Sequence, residues 1–267
     1  MSVNFEKNTL KKRIKSMLGV DFRRMFTSPL FYIMIGISLI LPILILVMTT
    51  MMDGSVTVDP QTGAETVMEG FKNVWQIIGS VSGGEQTMSM DIVSMCNINM
   101  MFFMIAIFVC LFVGDDFRSG YAKNLFTVRS KKDDYVVSKS ITCFVAGASM
   151  IIAFFIGSML GGAIAGLPFT LEGATAINVV MCILSKILLV GIFSSIYILA
   201  SVFAKQKLWL SLIMAFGIGM LMFMMIPIIT PLNSTIINVI LCLVGTILIS
   251  VGIGFGSKAI LEKSSLV

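Results

Sequence analysis

Six long apolar runs divide the chain, and almost every lysine and arginine falls in alternate gaps between them. The runs are Leu30–Met52, Ile92–Gly114, Ile141–Leu167, Ile177–Ala204, Leu208–Ile229 and Thr235–Gly256. A helix needs about 20 consecutive apolar residues to cross a hydrocarbon core about 30 Å thick, and each run supplies them. Of the 19 basic residues, 17 lie on one side of this pattern: seven before the first run, six between the second and third, two between the fourth and fifth, and two after the sixth. Lys72 stands alone on the other side, and Lys186 sits inside a run. Because cations collect at the cytoplasmic face, the pattern predicts an all-α integral membrane protein of six transmembrane helices with the N- and C-termini cytoplasmic.

This reading divides the chain into a cytoplasmic N-terminus (1–29), a transmembrane domain (30–257) and a cytoplasmic tail (258–267). A mean hydropathy of +0.99 and 57% hydrophobic residues lie far from a soluble domain. Six spans and their loops use up nearly all of the 267 residues, so no separate soluble catalytic domain is expected. The formal charge of +5 is not a nucleic-acid signal. The inner segments carry 17 bases and 7 acids and the outer ones 1 base and 7 acids, a split that suits an anionic inner leaflet. Cys96, Cys110, Cys143, Cys182 and Cys242 all fall within the runs without zinc-site spacing, and read as small packing residues. A cleavable signal peptide is not expected, since the first run is too long and too late.

Ahead of the first run, Leu10, Ile14, Leu18, Phe22 and Phe26 recur every four residues, with Lys11, Lys12, Lys15, Arg23 and Arg24 on the remaining surface. That is an amphipathic helix suited to the headgroup plane, or, more plainly, a basic anchor that fixes topology. Pro29 should turn the chain into the first span. Residues 53–91 form one long external loop, in which Val67, Phe71, Val74, Trp75 and Ile78 predict a short helix with an apolar face. It would either cap an exit path or rest at the interface. Gly157-x-x-x-Gly161, Gly162-x-x-x-Gly166 and Gly252-x-x-x-Gly256 predict close helix packing without naming partners. Pro42 and Pro227 should kink or interrupt their spans.

The chain lacks histidine, which removes His-based metal sites, His proton relays and the usual nucleophilic triads. It has no phosphate-cradling P-loop. Asp53, Asp91, Asp115 and Asp116 sit at span ends, so no carboxylate marks a midplane site for an ion-coupled carrier. No catalytic, cofactor or metal site is predicted, and energy must come from elsewhere. Lys186 is the one intramembrane charge. Either it stretches to the outer headgroups, or it lines an aqueous cavity between subunits as a candidate point on a translocation path.

The inner segment 112–139 is the most specific. A span ends in Asp115 and Asp116, followed by Phe117, Arg118 and Gly120, a helix-compatible stretch with Tyr121, Leu125 and Phe126, and a basic turn. Its surface suits docking to another protein, or it is a solvated loop that enforces topology. These residues resemble the ABC-2 type permeases, membrane subunits of ATP-binding-cassette exporters. The similarity lies in Asp116-Phe117, Gly120, Lys123-Asn124-Leu125, Arg129-Ser130-Lys131 and Ser138-Lys139, and in the opening Asp21-Phe22-Arg23-Arg24 and Ser28-Pro29. Val128 and Tyr121 depart from the family pattern.

The resemblance implies an ABC-2 exporter-like fold with Leu10–Thr27 as an elbow helix, its marked residues being Leu10, Ile14, Leu18, Phe22, Arg23, Arg24 and Phe26. It also implies a coupling loop over 115–140, with Asp115, Asp116, Phe117, Arg118, Gly120, Tyr121, Lys123, Asn124 and Leu125 contacting an ATP-binding subunit. That subunit would hold the ATP and Mg, and a second permease copy or a similar permease would complete the assembly. The location implied is the bacterial cytoplasmic membrane. Cargo would be an antimicrobial peptide, drug or lipid. A non-transporting scaffold or sensor using the same inner segment is the alternative, followed by an ion-coupled carrier.

Overall fold

The computed structural model describes residues 10–58, 65–81, 96–128, 132–171 and 173–263. Helix α1 (Leu10–Thr27) is separated from α2 (Pro29–Met51) by one extended residue, Ser28, because Pro29 at the first helical position cannot donate into a preceding turn. Beyond α2 lies a two-stranded antiparallel hairpin, β1 (Val56–Val58) against β2 (Glu65–Val67), with Val56 opposite Val67. A 3-10 turn, Val74–Ile77, follows. Next come α3 (Met101–Arg118), α4 (Tyr121–Val128), α5 (Lys132–Ala165), α6 (Ala176–Ala204), α7 (Leu208–Phe223), α8 (Ile226–Ile229) and α9 (Ile236–Lys263).

Five of these helices are long and apolar enough to span a bilayer: α2, α3 with its leading 3-10 turn Ile98–Met100, α5, α6 and α9. The fifth run is divided. Its α7 has 16 residues, a rise of about 24 Å, and the chain turns at Met224–Met225 before Pro227 opens the four-residue α8. Pro42 leaves α2 unbroken.

Other expectations need correction. The short helix expected in the external loop does not form: Val67 lies on β2 of a small hairpin, and a single 3-10 turn follows. The β-branched pairs Val-Thr-Val and Glu-Thr-Val favour strand pairing over helix. The turn formers 59–64, and residues 82–95 with the expected start of the second span at Ile92, lie outside the described residues. Within them, Asn97 accepts from the Asn99 amide and delays the helix to Met101. The third span begins nine residues before Ile141, at Lys132, since Asp133 and Asp134 suit a helix N-terminus. The sixth runs past Gly256 to Lys263.

The glycine pair of α5 has a definite partner. A Cβ on Gly157 would lie 2.1 Å from the Leu39 carbonyl oxygen, and one on Gly161 would lie 2.8 Å from the Ile43 Cα, so α2 and α5 meet backbone to backbone. Helix α6 is the centre of the bundle, with 72% of its apolar window buried, against 6% for α9. Large apolar side chains cover the outside of α2, α7 and α9, among them Ile33, Ile213, Ile237 and Leu248. A surface of that extent needs lipid around it. The hairpin end is closed by Phe71, Val74, Ile77 and Ile78, all buried. Trp75 Nε1 donates to the Phe169 carbonyl at 3.0 Å and the Leu232 amide to the Ser80 carbonyl at 2.8 Å.

Candidate functional site

At the opposite end, four elements meet around a cluster of buried charge. Asp116, in the last turn of α3, is fully buried. Its Oδ1 accepts from Arg24 Nη1 of α1 at 2.6 Å, and its Oδ2 lies 2.8 Å from Lys139 Nζ and accepts from the Tyr135 hydroxyl of α5 at 2.9 Å. Lys139 also reaches Asp21 Oδ1 at 2.8 Å, while Ser138 Oγ donates to Asp21 Oδ2 at 2.5 Å. Asp21 and Arg24, three apart on α1, share a helix face with buried Met17 and Met25.

Aromatic rings complete the enclosure. The Arg24 guanidinium lies 4.2 Å from the Tyr121 ring centre of α4, and Lys139 Nζ lies 4.2 Å from that of Phe112. Two acids and two bases balance. Burial works against the Arg24 charge, but the charge and hydrogen bond of Asp116 outweigh it and raise its pKa. A second tie, Arg13 Nε to Asp134 Oδ2 at 2.9 Å, joins α1 to the start of α5. Together these bonds lash the elbow, the end of α3 and the base of α5 into one joint. A pair broken at such a site leaves an uncompensated charge in a low dielectric, which makes the joint stiff.

The predicted contact residues divide into two sets. Asp116 and Phe117 are buried and hold the joint, so in this conformation neither is a surface for a partner. Asp115, Arg118, Lys123 and Asn124 are exposed. Gly120, with φ of 76°, makes the left-handed turn that sends α4 off from α3. Tyr121 and Leu125 are half-buried. Phe126 meets Tyr135 edge-on at 5.3 Å and seats α4 against α5. The basic turn Arg129-Ser130-Lys131 lies outside the described residues.

On the elbow, Ile14, Leu18 and Phe22 are half-buried, Arg23 and Phe26 are exposed, and the side chain of Leu10 lies outside the described residues. The expected stripe therefore borders the face that packs on protein, which is the Met17–Asp21–Met25 face. Sequence reasoning had Asp21 and Lys139 in view but did not join them to Asp116. They were in view as members of the resemblance motifs, an acid and a base three apart on a basic helix and a lysine just before an apolar run, with no sign that they meet.

Lys186 is fully buried rather than stretched to headgroups. Its Nζ donates to Asn99 Oδ1 at 2.7 Å and to Thr230 Oγ1 at 2.9 Å, tying α6 to the start of α3 and the end of α8. Among the described residues no carboxylate pairs with it, and Asn99 Nδ2 has no partner. The described residues also contain no cluster able to hold a metal ion.

With this geometry in place, the comparison with known families is direct. The profile of the ABC-2 family transporter proteins matches residues 22–222, from the elbow to the end of α7. The chain belongs to that family, and is a multi-pass membrane permease. No curated protein and no solved structure matches it.

Proposed function

We propose that the chain is the transmembrane subunit of an ATP-driven exporter, with six membrane crossings and both termini in the cytoplasm. In this reading α7 and α8 together form the fifth crossing. Two permeases, identical or similar, enclose the path, and a separate ATP-binding subunit holds ATP and Mg. The chain itself is not an enzyme. The observation that carries the reading is the Asp116 joint. A surface helix, α4, leaves α3 one turn after a buried acid that is bonded to both the elbow and the base of α5. Force applied to the exposed side of α4 at Lys123 and Asn124 would therefore reach three membrane segments at once. Cargo would be of the peptide, drug or lipid class, with the methionine-containing spans as an adaptable apolar path.

The test is affinity purification of the tagged chain from native membranes in mild detergent, followed by mass spectrometry. A near-stoichiometric P-loop ATPase that is lost on Lys123→Glu/Asn124→Lys is the expected result. Retention of the ATPase by that variant would refute docking through α4. Cargo-stimulated ATP hydrolysis by the purified complex would separate an exporter from a scaffold.

A further inference from the structure

Beside the Asp116 joint lies a cavity of about 390 Å³, a size typical of ligand sites. It opens where the elbow turns into α2, between that corner and the last turns of α3. Its lining has two sides. Leu30, Leu111 and Phe112 form an apolar wall, while Arg24, Arg118 and Ser28 present guanidinium and hydroxyl donors beside the Asp115 carboxylate. A smaller cavity continues past Leu111, Asp115 and Arg118 to Gln206, in the α6–α7 turn that carries Lys205 and Lys207.

The charge of Arg24 is already matched by Asp116, so within the cavity Arg24 offers hydrogen-bond donors rather than net charge. Within the lining Arg118 stands against the Asp115 carboxylate, and the surplus comes from Lys205 and Lys207, the neighbours of Gln206. Arg118 and Asp115 stand 3.5 Å apart with more than half of each side chain exposed, a contact weak enough to give way to a better anion. Ser28 caps no amide of α2 although it occupies the N-cap position, and its hydroxyl remains available to a ligand.

We infer that this cavity binds the phosphate-bearing headgroup of an anionic phospholipid. The phosphate would meet Arg118 and the free donors of Arg24 and Ser28, and the first methylenes of the acyl chains would lie along Leu30, Leu111 and Phe112. A soluble phosphate would use the same donors but would gain nothing from the apolar wall, which favours the lipid. Basic pockets between membrane helices at the cytoplasmic face are suited to such headgroups. The inference rests on the placement of this end at the inner leaflet.

Native mass spectrometry of the purified chain, exchanged between phosphatidylcholine and phosphatidylglycerol micelles, counts the lipids it retains. The wild type should retain one phosphatidylglycerol in at least tenfold preference to phosphatidylcholine. Arg118→Gln/Lys207→Gln should abolish that preference, and so should Leu111→Trp, which fills the cavity without removing charge. Lys258→Gln, a cation at the same end but remote from the cavity, should not. Equal retention of both lipids by the wild type, or an undiminished preference in folded variants, would overturn the inference. Displacement of phosphatidylglycerol by millimolar inorganic phosphate would overturn the lipid source in favour of a soluble anion. No ATPase is present and both lipids reach either face, so failure here is distinct from failure of α4 docking or of the assigned orientation.

Discussion

The two ends of the molecule bury charge in opposite ways. At the elbow end, Asp21, Arg24, Asp116 and Lys139 form a balanced set in which each charge has an opposite charge within 3 Å. At the hairpin end, Lys186 is equally buried but among the described residues has only the neutral oxygens of Asn99 and Thr230. A balanced cluster repays desolvation only while it is whole, so it behaves as a fixed joint. A lone ammonium held by neutral acceptors recovers less of its desolvation and stands ready for a different partner. The first arrangement suits transmission of force. The second suits a contact that is broken and remade.

The largest expected effect comes from breaking the balance. Asp116→Asn leaves Arg24 and Lys139 sharing one acid and should cost about 3–5 kcal/mol. Four of the five cysteines are buried, so unfolding in detergent can be followed by the exposure of thiols to a reactive fluorophore. The double variant Asp116→Asn/Lys139→Met removes one charge of each sign and should recover part of that loss. Additive losses would show that the four groups do not act as a unit.

Arg13→Gln, which strips the partner from the nearly buried Asp134, should cost about 1.5 kcal/mol in the same assay. Lys186→Met should be close to neutral, because the removed charge offsets the two oxygens left without a donor. A loss as large as that of Asp116→Asn would abolish the contrast between the two ends. The smallest effect belongs to Lys258→Gln at the surface pair with Asp133, 3.0 Å apart. No shift in melting should be resolved at moderate salt.

The helices were legible because long apolar runs between basic gaps permit little else. The joint was only half legible. Lys139 read as one cation of the inner segment and as half of the Ser138-Lys139 pair, but α5 begins seven residues before it, and about two helical turns carry it from the surface into the protein. Asp116 and Asp115 are adjacent in sequence and alike in type, yet one is buried and the other exposed, and only the 100° step between neighbours on a helix decides which. The partner of Gly157 lies in a different span, over a hundred residues away, so no local pattern could name it. The short external helix was misread because Phe71, Val74 and Ile78 fit helical spacing, although their burial comes from closing the end of the bundle. The fate of Lys186 depended on Thr230, which caps α8 after the chain has turned at Met224–Met225.

The crossing of α2 over α5 at Gly157 and Gly161 has a mechanical consequence. Helices separated by side chains can slide past one another as rotamers readjust, the small shear typical of packed helices. Here carbonyl and Cα atoms touch directly, and no rotamer stands between them to yield. Helices α2 and α5 can therefore turn only as one body, and the elbow bonded to the base of α5 is carried along. Any stroke of this permease must bend elsewhere: at the left-handed Gly120 corner, at the turn through Lys205, or at the break between α7 and α8.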